Sequence, residues 1–150
     1  MTREPIYAAV FAFFSGLLLS GNPVFRSATR KATTWDNVPI EATPALLMTQ
    51  VRELAQYRKG LPTIWRLNVN LMLYVHTGAG NDPDIVPSQI FNPLVDAIVA
   101  SLAVDDQSNN ACTLGGLVSH CAVEGAIEIF EGDLDDWAIV VIPITILTSP

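Results

Sequence analysis

Apolar positions along the chain fall into two periods. Thr63, Trp65, Leu67, Val69, Leu71, Leu73 and Val75 alternate with Ile64, Arg66, Asn68, Asn70, Met72, Tyr74 and His76. That period of two predicts a strand with one buried face. Ala45 to about Leu54, opened by Pro44, predicts its partner, and the polar turn around Arg58-Lys59-Gly60 joins them into a long, protruding hairpin. A second hairpin is predicted near the C-terminus. Val123, Gly125, Ile127 and Ile129 alternate with Glu124, Ala126, Glu128 and Phe130, an acidic turn spans 131–136, and Trp137 to Leu147 is β-branched almost throughout. This last run is apolar on both faces, so both must be covered, one of them by a helix. Pro143 lacks the N–H that a central strand donates, which predicts an edge strand. A bare apolar edge aggregates, so the expectation is that another copy of the chain covers it.

Two stretches carry helical spacing instead. Tyr7, Val10, Phe11, Phe14 and Leu17 or Leu18 recur within the apolar run Ile6–Ser20, with Pro5 in the first turn and Gly21-Asn22-Pro23 as the stop. The run has the apolarity of a signal-peptide core and is shorter than the ~20 residues of a membrane span; its spacing predicts a helix shielded on more than one side. Leu94, Val95, Ala97, Ile98 and Leu102 predict a second helix, capped by Asn92 with Pro93 at its first position and ending near Val104. Val24–Lys31 predicts a short strand, and Trp35-Asp36-Asn37-Val38-Pro39 a loop in which Trp35 is either a core anchor, the favoured reading, or an interface residue. The order helix, short strand, β-hairpin, helix, β-hairpin predicts an α+β fold: a mostly antiparallel sheet with two α-helices on one face.

Composition points toward assembly. One domain over 1–150 suits the length. Half of the residues are hydrophobic and only 15% are charged, against about 25% in average soluble domains; buried subunit contacts account for the surplus. The net charge of −7 is unevenly spread, because all eight basic residues lie in the first 66 positions with only four of the 15 acids. One reading is that the second part is more buried and its acids are solvated turn residues; the other is that a basic surface of one subunit faces an acidic surface of the next, in heterologous contacts that close into rings. The residues assigned to this contact are Arg26, Arg30 and Lys31 or Arg52, Arg58 and Lys59 on one side. Opposite them stand Glu131, Asp133, Asp135 and Asp136, with Trp137 and Pro143 in the strand that a neighbour covers. A nucleic-acid footprint would need a basic domain with a clustered basic face.

Candidate chemistry is sparse. Cys112 and Cys121 read as free thiols in a reducing compartment, and with His120 they lack metal-ligand spacing. His76 ends a strand without a nucleophile nearby. Asp82 and Asp84 lack the remainder of a calcium loop, and Gly78-Ala79-Gly80 lacks the third glycine and the lysine of a phosphate loop. No enzyme, metal or cofactor is expected.

Several motifs, in order along nearly the whole chain, resemble a family. Arg3-Glu-Pro-Ile-Tyr-Ala-Ala9, Trp35-Asp-Asn-Val-Pro39 with Pro44-Ala-Leu46, Gly60-Leu-Pro62 with Trp65, and Thr113-Leu-Gly-Gly-Leu-Val-Ser-His-Cys121 are similar to tail terminator (tail completion) proteins of long-tailed bacteriophages. The resemblance implies a sheet flanked by helices and a hexameric ring of copies on the last ring of the tail-tube protein. That ring stops tube growth and provides the surface joined by head-tail connector and neck proteins. DNA would pass through without specific binding, no membrane would be involved, and the protein would reside in the virion after assembly in the host cytoplasm. The alternatives are another neck component or a tail-tube subunit. The resemblance transfers no catalytic residue.

Overall fold

A computed structural model describes residues 1–79, 84–131 and 135–149. Helix α1 (Arg3–Ser15) has Glu4 in its first turn, where a carboxylate suits the exposed N–H groups. It ends at Gly16, whose N–H donates to the Ala12 carbonyl. The helix is therefore shorter than the apolar run that predicts it. Leu17–Ser20 leaves the helical path, and β1 (Leu18–Leu19) pairs with β2 (Asn22–Pro23). Ser20 and Gly21 between them both have positive φ, the backbone that a two-residue hairpin turn requires.

The main sheet has the order β3-β4-β5-β8-β6, with β7 also beside β8. It is built from β3 (Ser27–Thr29), β4 (Ala45–Arg58), β5 (Leu61–His76), β6 (His120–Val123), β7 (Glu128–Glu131) and β8 (Trp137–Thr148). All pairings are antiparallel except β3 with β4. Helix α2 (Pro87–Ser101) begins five residues before the predicted Asn92 cap. Pro87 occupies the first turn, and the Gln89 side chain accepts from the Val86 N–H at 3.0 Å. Pro93 lies inside the helix, where it removes one i→i−4 bond.

The period of two along β5 is realised as predicted. Leu67, Val69, Leu71, Leu73 and Val75 join Ala138, Val140, Ile142, Ile144 and Ile146 of β8 in one core. Ile6, Tyr7, Val10 and Phe14 of α1 and Phe91, Leu94 and Ile98 of α2 cover that face. The fold is thus α+β, a mostly antiparallel sheet with both helices on one side. Thr145 is buried toward one end of the opposite face, and among the described residues the apolar cover of that face lies at the other end. There Trp35 and Val38 of the loop before β4 pack on Ala45, Leu47, Tyr74 and Trp137, and the Tyr74 hydroxyl donates to the Thr33 carbonyl at 2.8 Å.

β8 is not an edge strand, which corrects the expectation drawn from Pro143. β5 lies along one side of it from Trp137 to Thr148, and β6 and β7 share the other. Proline is tolerated because the predicted strand over 121–130 is interrupted. β6 stops at Val123, β7 starts at Glu128, and Pro143 lies opposite the gap. The Pro143 carbonyl accepts from the Glu124 N–H on that side. In an antiparallel strand a residue's N–H and C=O point the same way, so the missing N–H faces the gap and costs no bond to β5. The apolar edge is covered from within the chain.

Candidate assembly surfaces

The β4–β5 hairpin forms an arm. The inner end of β4, Ala45–Met48, is buried, whereas Gln50–Tyr57 is exposed apart from Glu53. The register shifts between Gln50 and Arg52, a bulge of the kind that bends and twists a strand. Gly60, at φ +76°, closes the turn in a backbone conformation that glycine adopts without strain. Val51, Leu54, Tyr57 and Leu61 are exposed along the arm, Tyr57 at 79%. Sequence reasoning passed over these four. Their signal was apolar residues interspersed among Arg52, Arg58 and Lys59 on a strand that leaves the core.

Helix α1 braces the base of the arm. The Arg3 Nε donates to Glu53 at 2.6 Å and its guanidinium lies 4.7 Å over the Trp65 ring. The Tyr7 hydroxyl donates to the same carboxylate at 2.9 Å. The Arg3 hydrogen bond, helped by Tyr7, holds the Glu53 carboxyl below the usual range; burial and the Glu53 acceptor push the Tyr7 phenol well above its own.

The far edge of the sheet is built differently. Beside β6 runs the 105–118 segment: the Cys112 carbonyl accepts from the Cys121 N–H at 2.8 Å, and His120 Nδ1 accepts from the Cys112 N–H at 3.2 Å. The Asp105 carboxylate organises this segment by accepting from the N–H groups of Thr113 and Gly115 at 2.6 and 2.9 Å. Those N–H groups lower its pKa. Asp106 does the same for Ser108 and Asn109. The predicted polar connector is therefore a folded cover for the β6 edge. β7, in contrast, is exposed throughout, with Ile129 at 52% and Phe130 at 47%.

The predicted interface residues separate accordingly. Arg52 and Lys59 are exposed on the arm, and Arg58 donates to the Pro62 carbonyl at 2.9 Å. Arg26 and Lys31 are exposed near β3, but Arg30 is engaged within the chain by Glu4. Glu131, Asp135 and Asp136 are exposed at the β7–β8 turn; Asp133 lies outside the described residues, as does Asp82. Trp137 is buried, its ring 5.6 Å from Trp35 and 4.8 Å from His76, so it belongs to the chain's own core. Pro143 is half-buried beside Gly125. Both histidines have Nδ1 occupied, His76 by the Gly78 N–H at 2.8 Å. Among the described residues no three His, Cys, Asp or Glu side chains gather as metal ligands, and no helix is long and apolar enough to cross a membrane.

No protein-family model matches the chain, and a search of curated proteins returns no match.

Proposed function

We propose that the protein is a structural virion component, a tail terminator whose copies close into a ring of about six. In that role it caps the tail tube, stops its growth and offers the head-joining surface. The observation that supports this reading is the charge polarity of one sheet. Arg52, Arg58 and Lys59 lie on the arm at one edge, and Glu128, Glu131, Asp135 and Asp136 lie at the opposite edge. Complementary charges at opposite ends of a subunit favour head-to-tail contacts, which close when the rotation per subunit allows. Exposed ion pairs contribute only ~0–1 kcal/mol each. A few hundred Å² of apolar surface at ~25 cal/mol per Å² outweighs several of them. Affinity then comes from the exposed apolar side chains and register from the charges. The resemblance of the motif series to tail terminators supplies the phage context: tail-tube and neck proteins as partners, DNA passing through, no enzymatic step and no cofactor.

The test is native mass across concentration and salt. Rings of one size that do not grow with concentration, and that weaken at high salt, are expected. Open-ended filaments indicate a tube subunit instead, and a monomer at every concentration overturns self-assembly.

A further inference from the structure

We infer that β7 of one copy pairs, main chain to main chain, with the outer side of β4 of the next copy beyond Leu47. This rests on the ring reading and specifies its contact.

Three observations on the subunit lead there. First, β3 lies beside β4 only from Ala45 to Leu47, and among the described residues no strand flanks β4 beyond that point. On the other side of the sheet the Cys112 segment bonds to β6 at His120 and Cys121, while among the described residues β7 pairs with β8 alone. Among the described residues the outer sides of β7 and of β4 beyond Leu47 are thus both without a partner strand. Second, β7 reads Glu-Ile-Phe-Glu and holds Ile129 and Phe130 exposed between its two acids. Third, the edges differ in sign. Pairing β7 with β7, or β4 with β4, sets like charges together, whereas β7 against β4 sets the acids near Arg52, Arg58 and Lys59.

The faces agree as well. Leu54 pairs with Arg66 and Phe130 with Ile139, which puts Leu54 and Phe130 on the face away from the helices, together with Arg52 and Glu128. Joined edge to edge, an acid and an aromatic from one copy meet a base and an aliphatic from the next, and every copy keeps its helices on the same side. β7 has four residues, so the added ladder is short, and side-chain burial along the arm must accompany it.

The experiment combines native mass with cross-linking of full-length protein carrying Leu54→Cys and Phe130→Cys, using a short bismaleimide. The wild type is the control, since Cys112 and Cys121 are buried. The double variant is expected to give a covalent ladder ending at the ring size, and each single variant only single-chain bands. Rings by native mass without that ladder overturn edge pairing but leave the ring reading intact; cross-linked dimers of a single variant show like-to-like pairing and also overturn it. A wild type that stays monomeric overturns both readings. Should the double variant misfold, hydrogen exchange on the wild type decides. Amides 128–131 and 50–56 are expected to gain at least tenfold protection on assembly, and unchanged protection overturns the pairing.

Discussion

Gly125 lies directly over Pro143. A Cβ built on Gly125 would come within 3.3 Å of the Pro143 Cγ, and the glycine holds φ at +115°. The pair marks the break between β6 and β7, where a residue without a side chain meets a residue without an N–H. Gly125→Ala is expected to destabilise the subunit by about 1–3 kcal/mol, the usual range for backbone strain, measured by urea unfolding. Adding Pro143→Ala relieves the contact but not the φ strain, so the double variant should recover only part of the loss. Full recovery would assign the whole effect to the contact.

The brace at the base of the arm gives a local prediction. Tyr7→Phe keeps the buried ring and removes the hydrogen bond to Glu53, a loss of about 1 kcal/mol. Hydrogen exchange should quicken in the arm while the α2 amides stay protected. Uniform quickening across the chain would show that the brace acts on global stability instead.

Acid should loosen two places together. Glu53 is held below the ordinary carboxylate range by Arg3, and Asp105 by the N–H groups of Gly115 and Thr113. Groups with lowered folded pKa stabilise above their unfolded values, about 4.3 for Glu and 3.9 for Asp, and lose that contribution as pH falls through the folded value. Stability should therefore be flat from neutral pH to about 5 and fall below about 4. Asp105→Asn should remove its share of the fall and expose 113–118 to protease at neutral pH. A pH profile unchanged in Asp105→Asn would dissociate this carboxylate from the transition.

Core and surface apolar residues on neighbouring strands should part company. Ile142 is fully buried in β8, and truncation to Ala costs about 2–5 kcal/mol. Phe130→Ala in β7 should leave subunit unfolding within about 0.5 kcal/mol of the wild type, yet shift assembly to higher concentration. Loss of subunit stability in Phe130→Ala would make that ring a core residue.

Charge reversal separates assembly from folding. Asp135→Lys with Asp136→Lys is expected to impair ring closure without changing subunit unfolding, read by native mass and urea titration. Rings of normal stability in this variant would remove the pairing of that turn with the arm.

The regular elements were legible because burial wrote their period into the chain. β5 alternates without interruption from Thr63 to His76, and the helix-facing set reached the core as read. Punctuation was less legible. Pro87 and Pro93 both suit a helix start, and only the fold shows that the first is used. Leu17, Leu18 and Leu19 extend an apolar pattern although the helix has already ended at Gly16. Pro143 did mark an unpaired main-chain position, but one residue wide and facing a gap, not the length of an edge. The surfaces proposed for assembly were half visible: the charges near them stood out in sequence, while the exposure of Leu54, Tyr57, Ile129 and Phe130 depends on where the sheet runs out of helix.

α1 grips the hairpin at Glu53 and Trp65, and the strands outboard of these residues close on the turn Lys59-Gly60. Two residues added to each strand beyond the brace would extend its reach by about 7 Å and return every side chain to its original face. Length in this part of the molecule is thus an adjustable dimension, open to insertion and to descent with variation, in a scaffold whose interior admits neither.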